Sequence, residues 1–256
     1  MAEPGLSIGR PELLAEVGDF LGKSRDSTDW SSDDADRIAE ALKSGLRRFY
    51  YPDPIPGEEK THQWSFLEPE ATFSTVVGQA DYDLPDNFGS MAGNEISFPD
   101  DESQEPIRIK SYGHMKRLRQ SDSDGVPHTA AIAPDSSDQS TGQRWILLLY
   151  PTPDEIWALT YPYSLNPEAL SALGPYPLGG PGHAQTLIEC CKWAADEIFN
   201  GGDGAQERKA REKIITSVQQ DRTVTGPDIY GLVGDGDPGI PYQRIQVVTV
   251  DGVIPS

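Results

Sequence analysis

The segment 181–200 constrains the fold more than any other part of this sequence. Its apolar side chains recur at spacings of three and four residues, at Ala184, Leu187, Ile188, Cys191, Ala194, Ala195, Ile198 and Phe199. This spacing predicts an amphipathic helix with one buried face. Pro181 suits a first turn because it needs no amide partner, and Gly201 suits a left-handed stop. Such a helix is not stable alone, so its apolar face requires partners elsewhere in the chain.

Three further segments, 11–23, 31–51 and 205–221, show the same helical periodicity. The apolar positions are Leu13, Leu14, Val17, Phe20 and Leu21; Ile38, Ala41, Leu42, Gly45, Leu46 and Phe49; and Ala210, Ile214, Ile215 and Val218. Pro52 ends the second of these helices because proline removes a helical hydrogen bond. We therefore expect four helices, remote along the chain, to pack together as one bundle.

Between the helices, short β-branched and aromatic runs alternate with Gly, Pro, Asp and Asn, as in an all-β region. The expected strands are 64–66, 72–77, 82–84, 95–98, 107–110, 129–132, 144–150 and 155–161, with a short helix at 111–120. The sequence thus predicts an α+β subunit, in which an antiparallel β-sandwich or barrel is inserted into a helical bundle. The predicted domains are residues 1–52 and 181–222 for the bundle, 53–180 for the inserted β domain, and 223–256 for an extended C-terminal arm.

The arm ends in a strand-like segment after a stretch rich in glycine and proline. Its apolar side chains have no local core to enter, so we predict that they bind a partner by strand addition or by docking in a groove. These residues are Tyr242, Ile245, Val247, Val248 and Val250. The alternative is that the segment folds back on its own β domain, and the sequence weighs the two evenly.

Charge excludes several classes of partner. Asp and Glu outnumber Lys and Arg by 41 to 21, which gives a formal net charge of −20. Such a surface repels DNA, RNA and anionic lipid, so tight nucleic-acid binding is disfavoured. Two basic runs, 114–119 and 208–213, are expected to pair with acidic neighbours or with another subunit. No run is long and apolar enough for a membrane span or a secretion signal, so we expect no membrane partner.

The two cysteines, Cys190 and Cys191, are adjacent in the central predicted helix. Helical neighbours diverge by about 100 degrees, so these two side chains cannot form a disulfide with each other. Folding in a reducing cytoplasm is the inference.

Motifs for nucleophilic, metal-dependent or phosphate-binding chemistry are missing from the sequence. The four histidines stand alone, at none of the usual metal-ligand spacings: His62, His114, His128 and His183. We interpret each as a structural or surface residue, with His183 in the first turn of the central helix. We expect no catalytic residue, no metal and no cofactor.

Two acidic clusters leave a weaker alternative open. Asp100, Asp101 and Glu102 with Lys110 partly match a metal-dependent nuclease arrangement, but Arg108 stands where a carboxylate is needed. A solvated loop explains them better. The pair Asp235 and Asp237 lacks the other oxygen ligands of a calcium loop. A hydrolase with a metal-binding acidic loop therefore ranks below a non-enzyme.

Three tryptophans suggest a second alternative, a β-sandwich tail module that recognises carbohydrate or a receptor. These are Trp64, Trp145 and Trp157. Tryptophan binds sugars by stacking, but it also fills protein cores, and the core role is favoured here.

Several local strings, in this order, resemble the phage head-to-tail connector family, the adaptor or tail-tubular proteins found below the portal. They are ALKSGLRRFYYP at 41–52, YDLPDNF at 82–88, LYPTPD at 149–154, LTYPY at 159–163, PEALS at 167–171 and GHAQTLI at 182–188. The likeness covers roughly residues 13–200. No position in these strings corresponds to a catalytic residue.

The resemblance implies a homo-oligomeric ring, commonly twelve-fold, which binds the portal protein above and tail or nozzle proteins below. It also implies that genomic DNA passes through the ring without specific binding, and that the protein is a virion component assembled in the host cytoplasm. Two features agree with it: acidic side chains facing a lumen would let DNA slide, and an arm could clasp neighbours in a closed ring. The family pattern leaves open what the arm binds.

Overall fold

A computed structural model describes residues 5–99, 103–136 and 142–224, and its architecture there is α+β. The described part contains five α-helices: α1 (Arg10–Phe20), α2 (Ser32–Tyr50), α3 (Tyr112–Leu118), α4 (Ala184–Asn200) and α5 (Ala205–Val224). It also contains eight strands: β1 (Glu70–Ser74), β2 (Asp81–Asp83), β3 (Phe88–Met91), β4 (Glu95–Ile96), β5 (Ile107–Ile109), β6 (Thr129–Ser136), β7 (Arg144–Tyr150) and β8 (Ala158–Leu165).

All five helices lie within three residues of their predicted bounds. Local chemistry explains this agreement, because the ends are set by caps that the sequence displays. Glu12 accepts a hydrogen bond from the Gly9 amide at 3.1 Å, and the Ser31 hydroxyl accepts one from the Asp34 amide at 3.2 Å. Gly201, with φ of +79°, ends α4 in the left-handed region that favours glycine.

Helices α1, α2, α4 and α5 bury their apolar faces in a common helical core. Leu46 and the half-buried Ile188 both belong to this core, although they come from distant parts of the chain. Helices α2 and α4 approach each other closely at Gly45, where an added Cβ would lie 2.5 Å from the Cα of Cys191. This close approach confirms that the central predicted helix packs on the second predicted helix.

The strands form two open sheets, ordered β1-β8-β3 and β2-β7-β6-β5-β4. Both sheets contribute to a second core, with Leu159 and Tyr161 from the smaller sheet and Ile107, Leu147 and Leu149 from the larger. We call the two sheets together the β region. Within the described residues the strands do not close into a barrel, so that part of the prediction is not confirmed.

The pairing of β5 with β6 is parallel, contrary to the antiparallel prediction. The reason lies in the connection, because α3 crosses between these two strands. A crossover returns the chain to the same end of the sheet, where only parallel pairing is possible. The other pairs in both sheets are antiparallel.

Two strand predictions were wrong. Residues 64–66 were expected to form a strand, but Ser65–Leu67 is a 3-10 helix and Trp64 enters the helical core, where its Nε1 donates to the Phe49 carbonyl at 2.9 Å. Strand β3 was missed because it contains Gly89, a poor strand former. Its Cβ, if present, would lie 2.9 Å from the Ser164 carbonyl oxygen, so close strand packing requires glycine. Tertiary contacts decided both cases.

The two cysteines are free and fully buried in the helical core. Burial raises the pKa of Cys190 to about 12 and also raises the pKa of Cys191. We predict that neither thiol reacts with Ellman's reagent in the folded protein, and that both react after unfolding in guanidinium chloride, because the thiolate is the reactive form. Rapid labelling of the native protein would contradict this burial.

Candidate interaction surfaces

The end of α5 is fastened to the chain that enters the β region by the buried carboxylate of Asp221. This carboxylate accepts hydrogen bonds from the Ser65 amide at 3.0 Å and the Ser65 hydroxyl at 2.6 Å, and it lies 2.8 Å from Nε2 of His62. Burial alone would raise the pKa of Asp221, but the hydrogen bonds from Ser65 and His62 outweigh it and lower this pKa overall. We call these three residues the α5 anchor, which fixes the point where the chain leaves α5.

An aromatic cluster lies beside the α5 anchor. The Phe49 and Trp64 rings stack with centres 4.7 Å apart, and the His183 ring lies 5.3 Å from both Trp64 and Phe66. His183 is 5% exposed, and burial lowers its pKa, which favours the neutral form. His183 therefore lies buried at the start of the central helix, close to where the sequence places it.

Trp193 lies on the surface of the helical region between two arginines. The guanidinium carbons of Arg48 and Arg211 are 4.0 Å and 5.4 Å from the centre of its ring. Its Nε1 donates to Glu197 at 2.7 Å, and Glu197 also pairs with Arg48. Arg211 pairs with Asp53 at 2.9 Å. Because these cations have carboxylate partners, the surface suits a protein contact better than a phosphate.

Part of each basic run pairs with acidic neighbours, as predicted. In the run 208–213, Arg211 pairs with Asp53, and the Nζ of Lys209 lies 2.9 Å from a carboxylate oxygen of Glu189. In the run 114–119, Arg119 pairs with Asp81 at 2.6 Å. It also donates to two backbone carbonyls, beside β2 and at the end of β7. These cations hold elements together within the subunit.

Substitution of Lys209 with alanine should destabilise the protein, because Glu189 is 2% exposed and would keep a buried charge without this partner. Leaving a buried charged group unpaired costs about 2 kcal/mol here, since Lys209 itself is half exposed. Urea unfolding of Lys209→Ala measures the loss. The matched control is Lys213→Ala, an exposed change in the same helix. A loss from Lys213→Ala as large as that from Lys209→Ala would show that the pair contributes nothing.

Exposed apolar side chains are concentrated at two places. At one end of the β region, Val76, Val77 and Ile156 are 54%, 59% and 72% exposed. Hydrogen bonds from the Gly78 amide to the Pro153 carbonyl and from the Thr75 amide to the Trp157 carbonyl hold these loops together. We call this group the β-region tip.

The second group is Leu6, Leu173 and Tyr176, where residues near the start of α1 meet the segment that leads to α4. Apolar side chains grouped on a surface are typical of protein contacts.

The tryptophans expected in cores lie there. Trp64 is 1% exposed in the helical core, while Trp145 and Trp157 are partly buried against the core of the β region. Trp157 packs edge-on against Phe98, with ring centres 5.7 Å apart. The burial of Trp64 leaves it no ring face for sugar stacking, and the packing of Trp145 and Trp157 favours the core role for them as well.

Outside the α5 anchor, the remaining histidines make ordinary contacts. His128 is 3.0 Å from the Thr129 hydroxyl, and His114 is 3.5 Å from Arg117. Within residues 5–99, 103–136 and 142–224, no group of three or more His, Cys, Asp or Glu side chains could hold a metal ion. The helices in those ranges are also not long and apolar enough to cross a membrane.

Three predicted features lie outside the described residues. They are the acidic cluster Asp100, Asp101 and Glu102, the pair Asp235 and Asp237, and the arm segment Tyr242, Ile245, Val247, Val248 and Val250. The binding role of the arm therefore stays a prediction. Sequence reasoning, in turn, missed the α5 anchor and the Trp193 surface, whose members are far apart along the chain.

Comparison with known proteins gives one family. No curated protein matches the chain. The profile of the SU10 adaptor protein family matches residues 11–231, a range that includes the helical core, both sheets and the α5 anchor. This agrees with the resemblance to phage connectors drawn from local strings. Since one family profile spans nearly all of the described fold, the chain belongs to the SU10 adaptor protein family, a family of phage adaptors.

Proposed function

We propose that this protein is a structural head-to-tail adaptor of a tailed phage, which forms a ring joining the portal to the tail and lining the DNA channel. The observation that carries this proposal is the family match across residues 11–231. In this role the subunit acts through its shape and contacts, and no residue performs chemistry. The ring is a homo-oligomer, with twelve subunits as its expected number, and belongs to the virion at the head–tail junction after assembly in the host cytoplasm.

The proposed parts of the subunit follow the predicted domains. Residues 1–52 and 181–222 form a helical bundle, 53–180 an inserted sandwich-like β domain, and 223–256 an arm. A mechanical part requires that the bundle and the β domain stay fixed to each other. Two contacts support this: the α5 anchor, and the Tyr50 hydroxyl, which accepts a hydrogen bond from the Leu178 amide at 2.8 Å. Both contacts lie near the points where the chain passes between the two proposed domains.

Charge supports passage of DNA without specific binding. The chain carries a formal net charge of −20, and several of its cations are engaged by carboxylates of the same subunit. The carboxylates of Asp33, Asp36 and Glu40 line an exposed side of α2. A channel wall with such a surface repels the phosphate backbone, so that DNA moves past it without adhering.

The arm is the proposed partner-binding element, through Tyr242, Ile245, Val247, Val248 and Val250. In a ring of head-to-tail contacts, a segment that reaches beyond its own subunit strengthens each identical interface. Strand addition suits these residues because they are β-branched or aromatic.

Light scattering with size-exclusion chromatography of the purified chain, alone and with the portal of the same phage, tests the proposal. A complex with the mass of one portal and one ring of this chain is expected, and electron microscopy of the particle should place the ring below the portal. A chain that stays monomeric with the portal and instead binds immobilised glycans would contradict the adaptor role and favour a carbohydrate-binding module.

A further inference from the structure

Strand β1 has an open outer edge. It pairs with β8 on one side only, as the end strand of the three-stranded sheet. The Tyr163 amide donates to the Pro69 carbonyl, and the Thr75 amide donates to the Trp157 carbonyl. The backbone N–H and C=O groups of odd-numbered residues in β1 therefore point toward β8. Backbone groups alternate in direction along an antiparallel strand, and those of Glu70, Thr72 and Ser74 therefore face away from the sheet.

These three residues are exposed, and none of the described residues forms a hydrogen bond to their outward backbone groups. Such a row of donors and acceptors is a template for pairing with another strand.

The other sheet edges in the described part are protected. Strand β3 has a register shift between Phe88 and Ser90, which disrupts a regular edge. On β2, the Asp81 carbonyl, which faces away from β7, accepts a hydrogen bond from the Gln79 side chain at 2.7 Å. Directly after β4, Ser97 forms two backbone hydrogen bonds with Thr160 of β8, so the outer side of this segment is already paired. Strand β1 has none of these devices, nor a proline or lysine within it.

The arm leaves the described fold close to this edge. The α5 anchor holds Asp221 against Ser65, which precedes the first residue of β1 by only five positions. Val224, at the end of α5, is 74% exposed. The 17 residues at 225–241 span at most about 55 Å when extended, since each residue adds about 3.3 Å. The segment 242–250 can therefore reach β1 of its own chain or of an adjacent copy.

The chemistry of the segment matches the edge and its surroundings. In a strand, Ile245 and Val247 would share one face, and Val248 and Val250 the other. An added strand on β1 would pass beside the β-region tip, where Val76 and Val77 are more than half exposed. Its apolar side chains would cover this surface, and its backbone would satisfy the outward groups of β1.

We propose that the outer edge of β1 is the acceptor for the arm strand, residues 242–250. This inference rests on the proposed function, in which the arm clasps a partner, and it names the surface that receives the arm.

Cysteine cross-linking in the full chain tests the proposal. Ser74→Cys is combined in turn with Gln246→Cys, Val247→Cys or Val248→Cys, so that a pair lies close in each register that places the middle of the arm strand beside Ser74. A short bismaleimide is the probe, because the native cysteines are buried and give little background. The matched control is Ser90→Cys with the same arm cysteines, since Ser90 is exposed on β3 at the opposite edge of the same sheet. We expect at least tenfold more cross-linked product from Ser74→Cys.

A proline variant provides a second test. Thr72→Pro removes a backbone N–H that faces outward, so it blocks strand addition without removing a backbone hydrogen bond to β8. It also removes the side-chain hydrogen bond from Thr72 to Thr160 of β8, which the control Thr72→Val removes as well. In the Ser74→Cys background it should reduce cross-linking to the control level, while Thr72→Val retains it. Circular dichroism verifies that both variants fold. Unchanged cross-linking in a folded Thr72→Pro variant would overturn the proposal.

The size of the product separates this inference from the proposed function. Cross-links between copies support both proposals, that β1 receives the arm strand and that the arm binds an adjacent subunit. Cross-links within one chain support β1 as the site that receives the arm, and they overturn binding to an adjacent subunit. Yields no higher than those of the Ser90→Cys control overturn the acceptor, whereas the mass of the complex with the portal tests the ring independently.

Discussion

Replacement of Gly45 by alanine is expected to destabilise the folded protein by about 3 kcal/mol or more, since overpacking a tight core costs 1–3 kcal/mol and occasionally more. The added methyl group would lie 2.5 Å from the Cα and 2.7 Å from the backbone nitrogen of Cys191. Because these are backbone atoms, no side-chain rotation relieves the clash, and α2 and α4 must move apart. That movement would open the core that these helices share with α1 and α5.

Equilibrium unfolding in urea measures the effect, and Gly113→Ala is the matched control. Gly113 lies within α3, and a Cβ there would meet no atom within 4 Å. The same substitution should therefore stabilise the protein by up to about 1 kcal/mol through helix propensity. Equal effects of the two alanines would show that α2 and α4 do not pack as closely as the structure has them.

Removal of the Asp221 carboxylate is expected to destabilise the protein by about 3 kcal/mol, because three buried or half-buried partner groups lose their acceptor. The variant Asp221→Ala leaves the amide and hydroxyl of Ser65 and the ring of His62 without this carboxylate. Urea unfolding reports the loss. Glu212→Ala, an exposed carboxylate change in the same helix, should alter the free energy of unfolding by less than about 0.5 kcal/mol.

The contribution of Asp221 should also depend on pH in a defined direction. Its pKa is lowered in the folded state, so the carboxylate stabilises the protein above its unfolded pKa of about 4. That contribution is lost as the pH falls through the lower, folded pKa. The difference in stability between the native protein and Asp221→Ala should therefore be constant near neutral pH and shrink below about pH 4. A difference that grows on acidification would contradict the network of hydrogen bonds to Asp221.

If the arm strand binds the outer edge of β1, as we infer, Asp221→Ala should also weaken that contact. The α5 anchor fixes the exit of the arm beside Ser65, and without it the last turn of α5 is held by fewer contacts. Under conditions where the variant is still folded, the cross-link between Ser74→Cys and the arm should weaken. This result would show that the α5 anchor, which stabilises the subunit, also supports the proposed contact between the arm and β1.

The helices could be predicted from the sequence because their signals are local. The apolar repeat of 181–200, the proline and glycine at its ends, and the cap at Ser31 all lie within a few residues of what they determine. Even the need for helix partners followed, since an amphipathic helix has to bury its apolar face. Most strands were recognised for the same reason, from short β-branched runs between turns.

The candidate contacts could not be predicted, because they depend on residues that only the fold brings together. Asp221 and Ser65 are separated by 156 positions along the chain, and Arg48 and Glu197 by 149. Nothing in the local pattern of Ser65 distinguishes it from other serines, and its segment has the composition of a strand. Burial of the Trp64 ring in the helical core places residues 64–66 against that core. This packing outweighs the local preference of the segment for a strand.

The sequence by itself determined which segments are helical, that they require one another, and that the surface is strongly acidic, because periodicity and charge are properties of the chain. Only the tertiary structure decided where Gly45 meets Cys191, that β5 and β6 run parallel, and which strand edge stays open. Those features arise from close packing and long-range pairing, in which each contact depends on residues that no local pattern identifies.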